Sequence, residues 1–273
     1  MHYDPVKNVF ASFIRKSPIL RKLFYKILDI MFLRSWYVRR EILLAVEEIK
    51  TSDFSVYDAG TGFGQYSYYI TKKIPNANIY AIDVKDDYIS DCKKFFENHN
   101  FQNVSFGIED LTKINHTDKF DLIICIDVME HIEEDVKVFQ NFYTALKPDG
   151  IVIINTPSLF GGSDVHAHDE ESFIGEHFRD GYSKEDFTQK LESVGFKMRK
   201  LDYTYGFWGD KAWRLGIKIP IMLANLSKLL ILLLPIYYLV TFPFTLLMMY
   251  LDFKSNINIG TGIIISAVKP SKS

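Results

Sequence analysis

Only two cysteines, Cys92 and Cys125, occur in 273 residues, and both lie inside periodic apolar stretches. A disulfide framework and a cysteine metal cluster are therefore excluded, and both thiols read as buried in a reducing compartment. No compact apolar run is followed by a small-residue cleavage site, so no secretory signal peptide is expected. Internal repeats and low-complexity tracts are absent. The central part of the chain lacks a basic stripe and is acidic, which argues against nucleic-acid binding. Charge disappears altogether between Leu229 and Leu251.

What is present is ordinary for a folded protein: 48% hydrophobic and 24% charged residues, too apolar for disorder. The length suits one large domain or two small ones, with a core that needs no disulfides. The net charge of −2 is unevenly spread. Lys7, Arg15, Lys16, Arg21, Lys22, Lys26, Arg34, Arg39 and Arg40 crowd the amino-terminal arm, against Asp4 and Asp29. Such asymmetry points to an anionic contact. In the same arm Phe10, Phe13, Ile14, Leu20, Leu23, Phe24, Ile27, Leu28 and Met31 recur at helical intervals, interrupted by Pro18. Two helices with basic polar faces follow, either lying on an anionic leaflet or capping the main domain.

From about Ser52 to Leu201 strands alternate with helices. The expected strands are Ser55–Asp58, Asn78–Asp83, Val104–Ile108, Phe120–Ile126, Ile151–Asn155 and Phe196–Leu201, with Gly262–Val268 as one more core strand. A helix is read from about His131 to Leu146, with Ile132, Val136, Phe139, Tyr143 and Leu146 on one face, before the stop at Pro148-Asp149-Gly150. Another starts at Ser183, whose hydroxyl can cap Asp186, and stops at Gly195. This alternation argues an α/β fold with a parallel sheet covered on both faces.

The chemistry gathers at Asp58-Ala59-Gly60-Thr61-Gly62-Phe63-Gly64, a strand end running into a glycine-rich turn and then a helix over Gln65–Lys73. Glycines let backbone approach a ligand, and the helix start offers free N–H groups. A dinucleotide site needs a third glycine where Gln65 stands. Asp58 would repel a phosphate but can contact an ammonium group.

At these residues the chain resembles the class I S-adenosylmethionine-dependent methyltransferases. Asp58 to Gly64 match their first motif. Asp83 ends the second strand, where the family holds the ribose hydroxyls with an acid. Asp110 with Leu111 matches the adenine contact. Phe120 to Asp127 match the fourth strand, where Asp127 shapes the cofactor site, and Leu146 to Gly150 match the turn before the fifth. The resemblance implies a Rossmann-like, seven-stranded, mostly parallel sheet with helices on both faces and S-adenosylmethionine as cofactor. Val128-Met129-Glu130-His131-Ile132 and Glu176 to Ser183 look loosely like the ubiquinone-biosynthesis O-methyltransferases.

Methyl transfer is a direct displacement, so alignment supplies much of the rate. An oxygen nucleophile must also lose a proton, and a free phenol has a pKa near ~10. His131 follows the fourth strand, at the ligand-binding edge of such sheets, with an unperturbed pKa of ~6.5, so it is the candidate base. A divalent ion on Glu130 and His131, with Glu133 or Glu134 or with His166, His168 and His177, is a second route. The His166-Ala167-His168 spacing is a weak metal pattern, and no metal is expected. The segment from His166 to His177 reads as a loop over the substrate site.

The division expected is 1–50 for basic amphipathic helices, 51–206 for the methyltransferase core, 207–256 for an apolar insertion and 257–273 for the last strand and tail. The insertion lies between two strands of one sheet, so a single span is excluded. A hairpin that dips into the bilayer, or helices lying flat, are left, with Pro235 and Pro243 as bending points. Phe207, Trp208, Trp213, Tyr237, Tyr238 and Tyr250 suit an interface. A sixth strand parallel to its neighbours would release the insertion at the cofactor's edge. The expected function is O-methylation of a lipid-linked or amphiphilic acceptor by a protein associated peripherally or monotopically with the membrane on its cytoplasmic side. The alternative is a soluble small-molecule acceptor, with the insertion as lid or dimer interface.

Overall fold

The computed structural model describes residues 17–49, 51, 53–161 and 178–271. Phe10, Phe13, Ile14, His166, His168, Glu176 and His177 lie outside the described residues. Seven strands form one sheet: β1 (Phe54–Ala59), β2 (Ala77–Asp83), β3 (Val104–Ile108), β4 (Phe120–Ile126), β5 (Leu146–Pro157), β6 (Lys197–Thr204) and β7 (Gly262–Val268). Their order is β3-β2-β1-β4-β5-β7-β6, and β7 runs antiparallel to both β5 and β6. The other pairings are parallel, so the Rossmann-like architecture stands as expected.

Both faces of the sheet are covered, which is why β4 is apolar without alternation. Leu122 and Ile124 pack on one side, with α2 (Leu33–Glu48) and α3 (Gln65–Lys73). Ile123 and Cys125 pack on the other, with α5 (Asp135–Ala145) and α6 (Lys184–Val194). The helices α1 (Pro18–Met31) and α4 (Asp86–Glu97) meet around Tyr25, Phe95 and Phe96. Ser183 caps α6 by accepting from Asp186 N at 3.0 Å, and Gly195 ends that helix at φ 107°.

Three local expectations need correction. The helix read over His131–Leu146 begins only at Asp135, after a 3-10 turn at Met129–His131. Its fully buried face is Val138, Phe139, Phe142 and Ala145; Ile132 and Tyr143 pack partly buried against the same core, and Val136 does not. Leu146 already pairs with Phe120 as the start of β5. The sixth strand points the same way as β5, but its one sheet neighbour is the antiparallel β7. That strand enters from the insertion at the carboxyl edge and has to run back.

The arm does cap the domain, and it turns basic side chains inward. Arg21 is 2% exposed. It donates to Asp91 Oδ2 at 2.8 Å, to Phe63 O at 2.7 Å and to Tyr25 Oη at 2.7 Å. The Tyr25 hydroxyl also donates to Phe63 O. Arg39 pairs with Asp29 and lies 4.2 Å from the Tyr69 ring centroid. Leu23 and Ile27, two of the apolar residues that recur at helical intervals, are exposed beside Ile19, Lys22 and Lys26. Arg21 and Tyr25 take the inner face because they satisfy a buried carbonyl and a carboxylate that no leucine could.

The insertion is a helical hairpin. α7 (Phe207–Trp213), a π-helical turn (Arg214–Lys218) and α8 (Ile219–Leu226) run out. A 3-10 segment (Lys228–Leu233) and α9 (Leu234–Lys254) run back. Pro235 stands in the first turn of α9 rather than at a bend, while Pro243 is inside that helix. Tyr237 and Tyr238 are half-buried within the hairpin. Their hydroxyls donate to the carbonyls of Leu215, at 2.6 Å, and Gly216, at 2.9 Å, in the π turn. The outward surface is apolar, with Leu226 and Leu239 78% and 79% exposed. By length and composition alone, Leu229–Lys254 is apolar enough to cross a membrane.

Asp252 closes the base. It accepts from Gly209 N at 2.8 Å and from the Tyr37 hydroxyl at 2.8 Å, joining α9 to the start of α7 and both to α2. We expect Tyr37→Phe to lower stability in urea by about 1.5–3 kcal/mol, the range for a lost hydrogen bond to a charged group. Unchanged stability would contradict this account of the base.

Candidate functional site

β1 delivers Asp58 and the glycine loop to the carboxyl edge of the sheet. Gly60 and Gly62 have φ of 84° and 53°, in the region that favours glycine. A Cβ on Gly60 would also stand 2.3 Å from Val128 Cγ2, whereas one on Gly62 would meet nothing within 4 Å. The loop is therefore packed at Gly60 and open at Gly62. Its amides face the protein: Gly60 and Thr61 donate to Ile82 O at 2.9 and 2.8 Å, and Gly62 donates to Asp83 Oδ2 at 3.0 Å. Gly64 donates to Thr61 O at 2.8 Å. The N–H groups of Gly60, Thr61, Gly62 and Gly64 thus shape the turn.

Asp58 is 3% exposed. It accepts from Thr61 Oγ1 at 2.8 Å and from Ser67 Oγ at 2.6 Å. Burial pushes its pKa up to about 6, against the pull of those hydroxyls. Asp83 accepts from Gly62 on one oxygen and from Lys85 N at 3.0 Å on the other. Asp110, just past β3, accepts from Thr112 N at 3.0 Å and from Thr112 Oγ1 at 2.7 Å, and pairs with Lys113 at 2.8 Å. Lys113 and Thr112 hold its carboxyl down to about 2. Leu111 is buried beside it. β1, β2 and β3 are sheet neighbours, so the three carboxylates follow one another along one edge.

A second group lies at the ends of β4 and β5. Asp127 has φ 53°, and its N–H donates to Asn155 O at 2.8 Å. Its carboxylate accepts from Asn155 Nδ2 at 2.9 Å and pairs with Arg34, so it turns toward the arm. Glu130 is buried and accepts from Thr156 Oγ1 at 2.9 Å. Burial raises its pKa, with His131, Thr156 and Arg34 acting in the opposite direction. His131 stands exposed on the 3-10 turn at this edge. No group of three or more His, Cys, Asp or Glu suited to a metal occurs among the described residues.

Arg34, read only as part of the basic arm, and Tyr66 and Tyr205, which no motif marks, meet here. Arg34 N donates to Tyr205 Oη at 2.9 Å, and Tyr66 lies beside the Arg34 guanidinium. They come from the arm, from α3 and from the turn after β6, so spacing could not bring them together on paper.

A family model described as a methyltransferase domain matches residues 50–200. The chain belongs to that family. Among curated relatives, malonyl-[acyl-carrier protein] O-methyltransferase 2 of Ilyobacter polytropus is 30% identical over 103 residues, 38% of this chain and 39% of that one. Ubiquinone biosynthesis O-methyltransferase of Rickettsia bellii is 28% identical over 116 residues, 41% of this chain and 47% of that one. The match thus spans less than half the length of each of these relatives. A phosphoethanolamine N-methyltransferase 2 of Haemonchus contortus, solved with S-adenosyl-L-methionine, superposes with TM-score 0.60 at 15% identity, covering 91% of this chain and 60% of that one. The [4+2]-cyclase SpnF superposes with TM-score 0.58 at 15% identity, covering 85% and 81%. These two likenesses establish the fold.

Gly60→Ala should destabilise the methyltransferase domain by more than Gly62→Ala. The first adds a clash to the backbone strain, and the second adds only strain of about 1 kcal/mol. Thermal melts of both variants check the order. For Asp58 the folded pKa lies above the ordinary 3.8, so the native state keeps a proton that the unfolded chain has lost. Its contribution to stability therefore falls as pH rises from about 4 to about 6, by about 3 kcal/mol at most. Denaturant titrations at several pH values should show this slope in the wild type minus Asp58→Asn difference.

Proposed function

We propose that this protein transfers the methyl group of S-adenosylmethionine to an oxygen of a lipid-linked or amphiphilic acceptor at a membrane surface. The observation that carries the reading is the row of carboxylates, Asp58, Asp83 and Asp110, set around a glycine loop that is open at Gly62. Such an edge suits a cation, a sugar diol and an adenine amine, and it disfavours a pyrophosphate. In this reading Asp58 meets the ammonium group, directly or through water. Asp83 accepts from the ribose hydroxyls, and Asp110 with Leu111 holds the adenine. Gly60, Gly62 and Gly64 permit the close backbone, and Asp127 shapes the far end. When bound, the cofactor supplies an electrophilic methyl on a sulfonium. His131 takes the proton of the acceptor hydroxyl; an exposed imidazole at this edge can receive it and release it to water.

Fold alone does not settle chemistry, since a cyclase shares this one. The oxygen acceptor is favoured by the names of the two curated relatives described above, which are O-methyltransferases. The membrane is favoured by the apolar hairpin, which leaves from the end of β6 at the same edge as the carboxylate row. The outward face of α1 adds exposed Ile19, Leu23 and Ile27 with Lys22 and Lys26. Each basic side chain near an anionic leaflet contributes about 1 kcal/mol. Residues 1–50 and 207–256 then act as membrane-facing additions to a core over 51–206 and 257–273, on the cytoplasmic side.

Calorimetry with S-adenosylhomocysteine should give binding to the wild type, weakened tenfold or more in Asp83→Ala, or about 1.4 kcal/mol. No heat with the wild type would remove the enzyme reading. Separately, the protein should float with anionic liposomes, and Leu232→Asp with Leu239→Asp should abolish flotation. Failure of the wild type to float would favour a soluble acceptor, with the hairpin as lid or dimer contact.

A further inference from the structure

The apolar pattern in the sequence suits a helix from His131, yet α5 starts at Asp135. Something must hold His131 to Glu134 out of the helix. In a continued helix the carbonyls of Ile132 and Glu133 would accept from the amides of Val136 and Lys137. Here one side chain takes both: Arg179 Nη2 donates to Ile132 O at 2.7 Å and to Glu133 O at 3.0 Å. Glu130 O, which would accept from Glu134 N, accepts instead from Phe178 N at 2.9 Å and Arg179 N at 3.3 Å. Val136 N turns to the Asp135 carboxylate at 2.7 Å, and Ile132 is extended at φ −108° and ψ 121°. The other arm of the guanidinium pairs with Asp135, the first residue of α5.

Resting on the reading of His131 as the base, we propose that Arg179 is its positioning residue. The guanidinium clamps the turn ahead of α5, and the turn keeps His131 exposed at the carboxyl edge. A planar fork suits this task, because one side chain meets two carbonyls and a carboxylate in a fixed arrangement. Without the fork those carbonyls have a ready partner in the helix, since the apolar pattern already continues back through Ile132. α5 then grows by a turn at its amino end and carries His131 with it. A base must lie within hydrogen-bond reach of the proton it takes, and a misplacement of about 1 Å can cost about a hundredfold in rate. Asp135 does not depend on Arg179 to stay paired. The Tyr182 hydroxyl and Lys190 Nζ each donate to it at 2.9 Å. Loss of Arg179 therefore releases the turn without stranding a buried charge.

The test is NMR on the full chain, isotope-labelled in the backbone and in histidine rings, with and without saturating S-adenosylhomocysteine. In the wild type the Cα shifts of His131 to Glu134 should be non-helical, and the His131 ring signals should move when S-adenosylhomocysteine binds. Arg179→Met should take those Cα shifts to helical values and abolish the His131 ring response. It should leave S-adenosylhomocysteine affinity within about twofold. Tyr182→Phe removes another donor from the same buried carboxylate but leaves the fork, so both signals should stay as in the wild type. The proposal is overturned if the Cα shifts do not change in Arg179→Met, if the His131 ring still responds there, or if Tyr182→Phe has the same effect. Bound S-adenosylhomocysteine with no ring response in the wild type would remove His131 as the base, and its positioning residue with it. Absence of S-adenosylhomocysteine binding would instead overturn the cofactor reading, and the Cα shifts would still decide whether Arg179 holds the turn.

Discussion

Three arginines of the amino-terminal arm carry their charge into the protein, and each is met by a carboxylate: Arg21 by Asp91, Arg34 by Asp127, Arg39 by Asp29. A buried cation that loses its partner costs several kcal/mol. The arm therefore has few acceptable seats. The seat it takes puts Arg21 and Tyr25 on the carbonyl of Phe63, in the middle of the glycine loop. The same seat puts Arg34 against the end of β4. The glycine loop and the end of β4 are thus tied to one helical pair that lies outside the sheet.

A second constraint is topological. β7 lies between β5 and β6 and runs against both. The chain must therefore leave β6 and enter β7 at the carboxyl edge, where the carboxylate row also lies. Asp252 joins the two ends of the excursion through Gly209 and fixes them to α2 through Tyr37. An apolar hairpin so anchored presents its exposed leucines from the carboxyl edge of the sheet. α2 carries both Tyr37 and Arg34, so the base of the hairpin and the end of β4 are tied to one helix.

The sheet was legible in the sequence because its signals are local. β3, β4 and β7 have the bounds expected of them, and Ser183 and Gly195 delimit α6 through backbone chemistry that needs no partner. The glycine loop was legible for the same reason, and so was the row of strand-end acids. Partnership was not legible. Arg21 reads as surface charge in a basic helix, and only Phe63 and Asp91, far along the chain, explain why it is buried. Tyr237 and Tyr238 read as interfacial aromatics, but the π turn supplies carbonyls that claim their hydroxyls. The inner face of α5 shifted because Ile132 to Glu134 do not join the helix, and periodicity alone cannot locate a late start. Arg34, Tyr66 and Tyr205 converge from three separate segments, a coincidence of folding that leaves no spacing to read.

The central claim is that a sulfonium nucleoside sits between the glycine loop and the strand-end acids, beneath the arm. Hydrogen exchange followed by mass spectrometry, with and without S-adenosylhomocysteine, tests it most directly. The account predicts new protection over Asp58–Gly64, Asp83–Lys85 and Asp110–Thr112, and slower exchange in α1, with the amino ends of the strands unaffected. Protection confined to other parts of the chain, or none at saturating ligand, would contradict it.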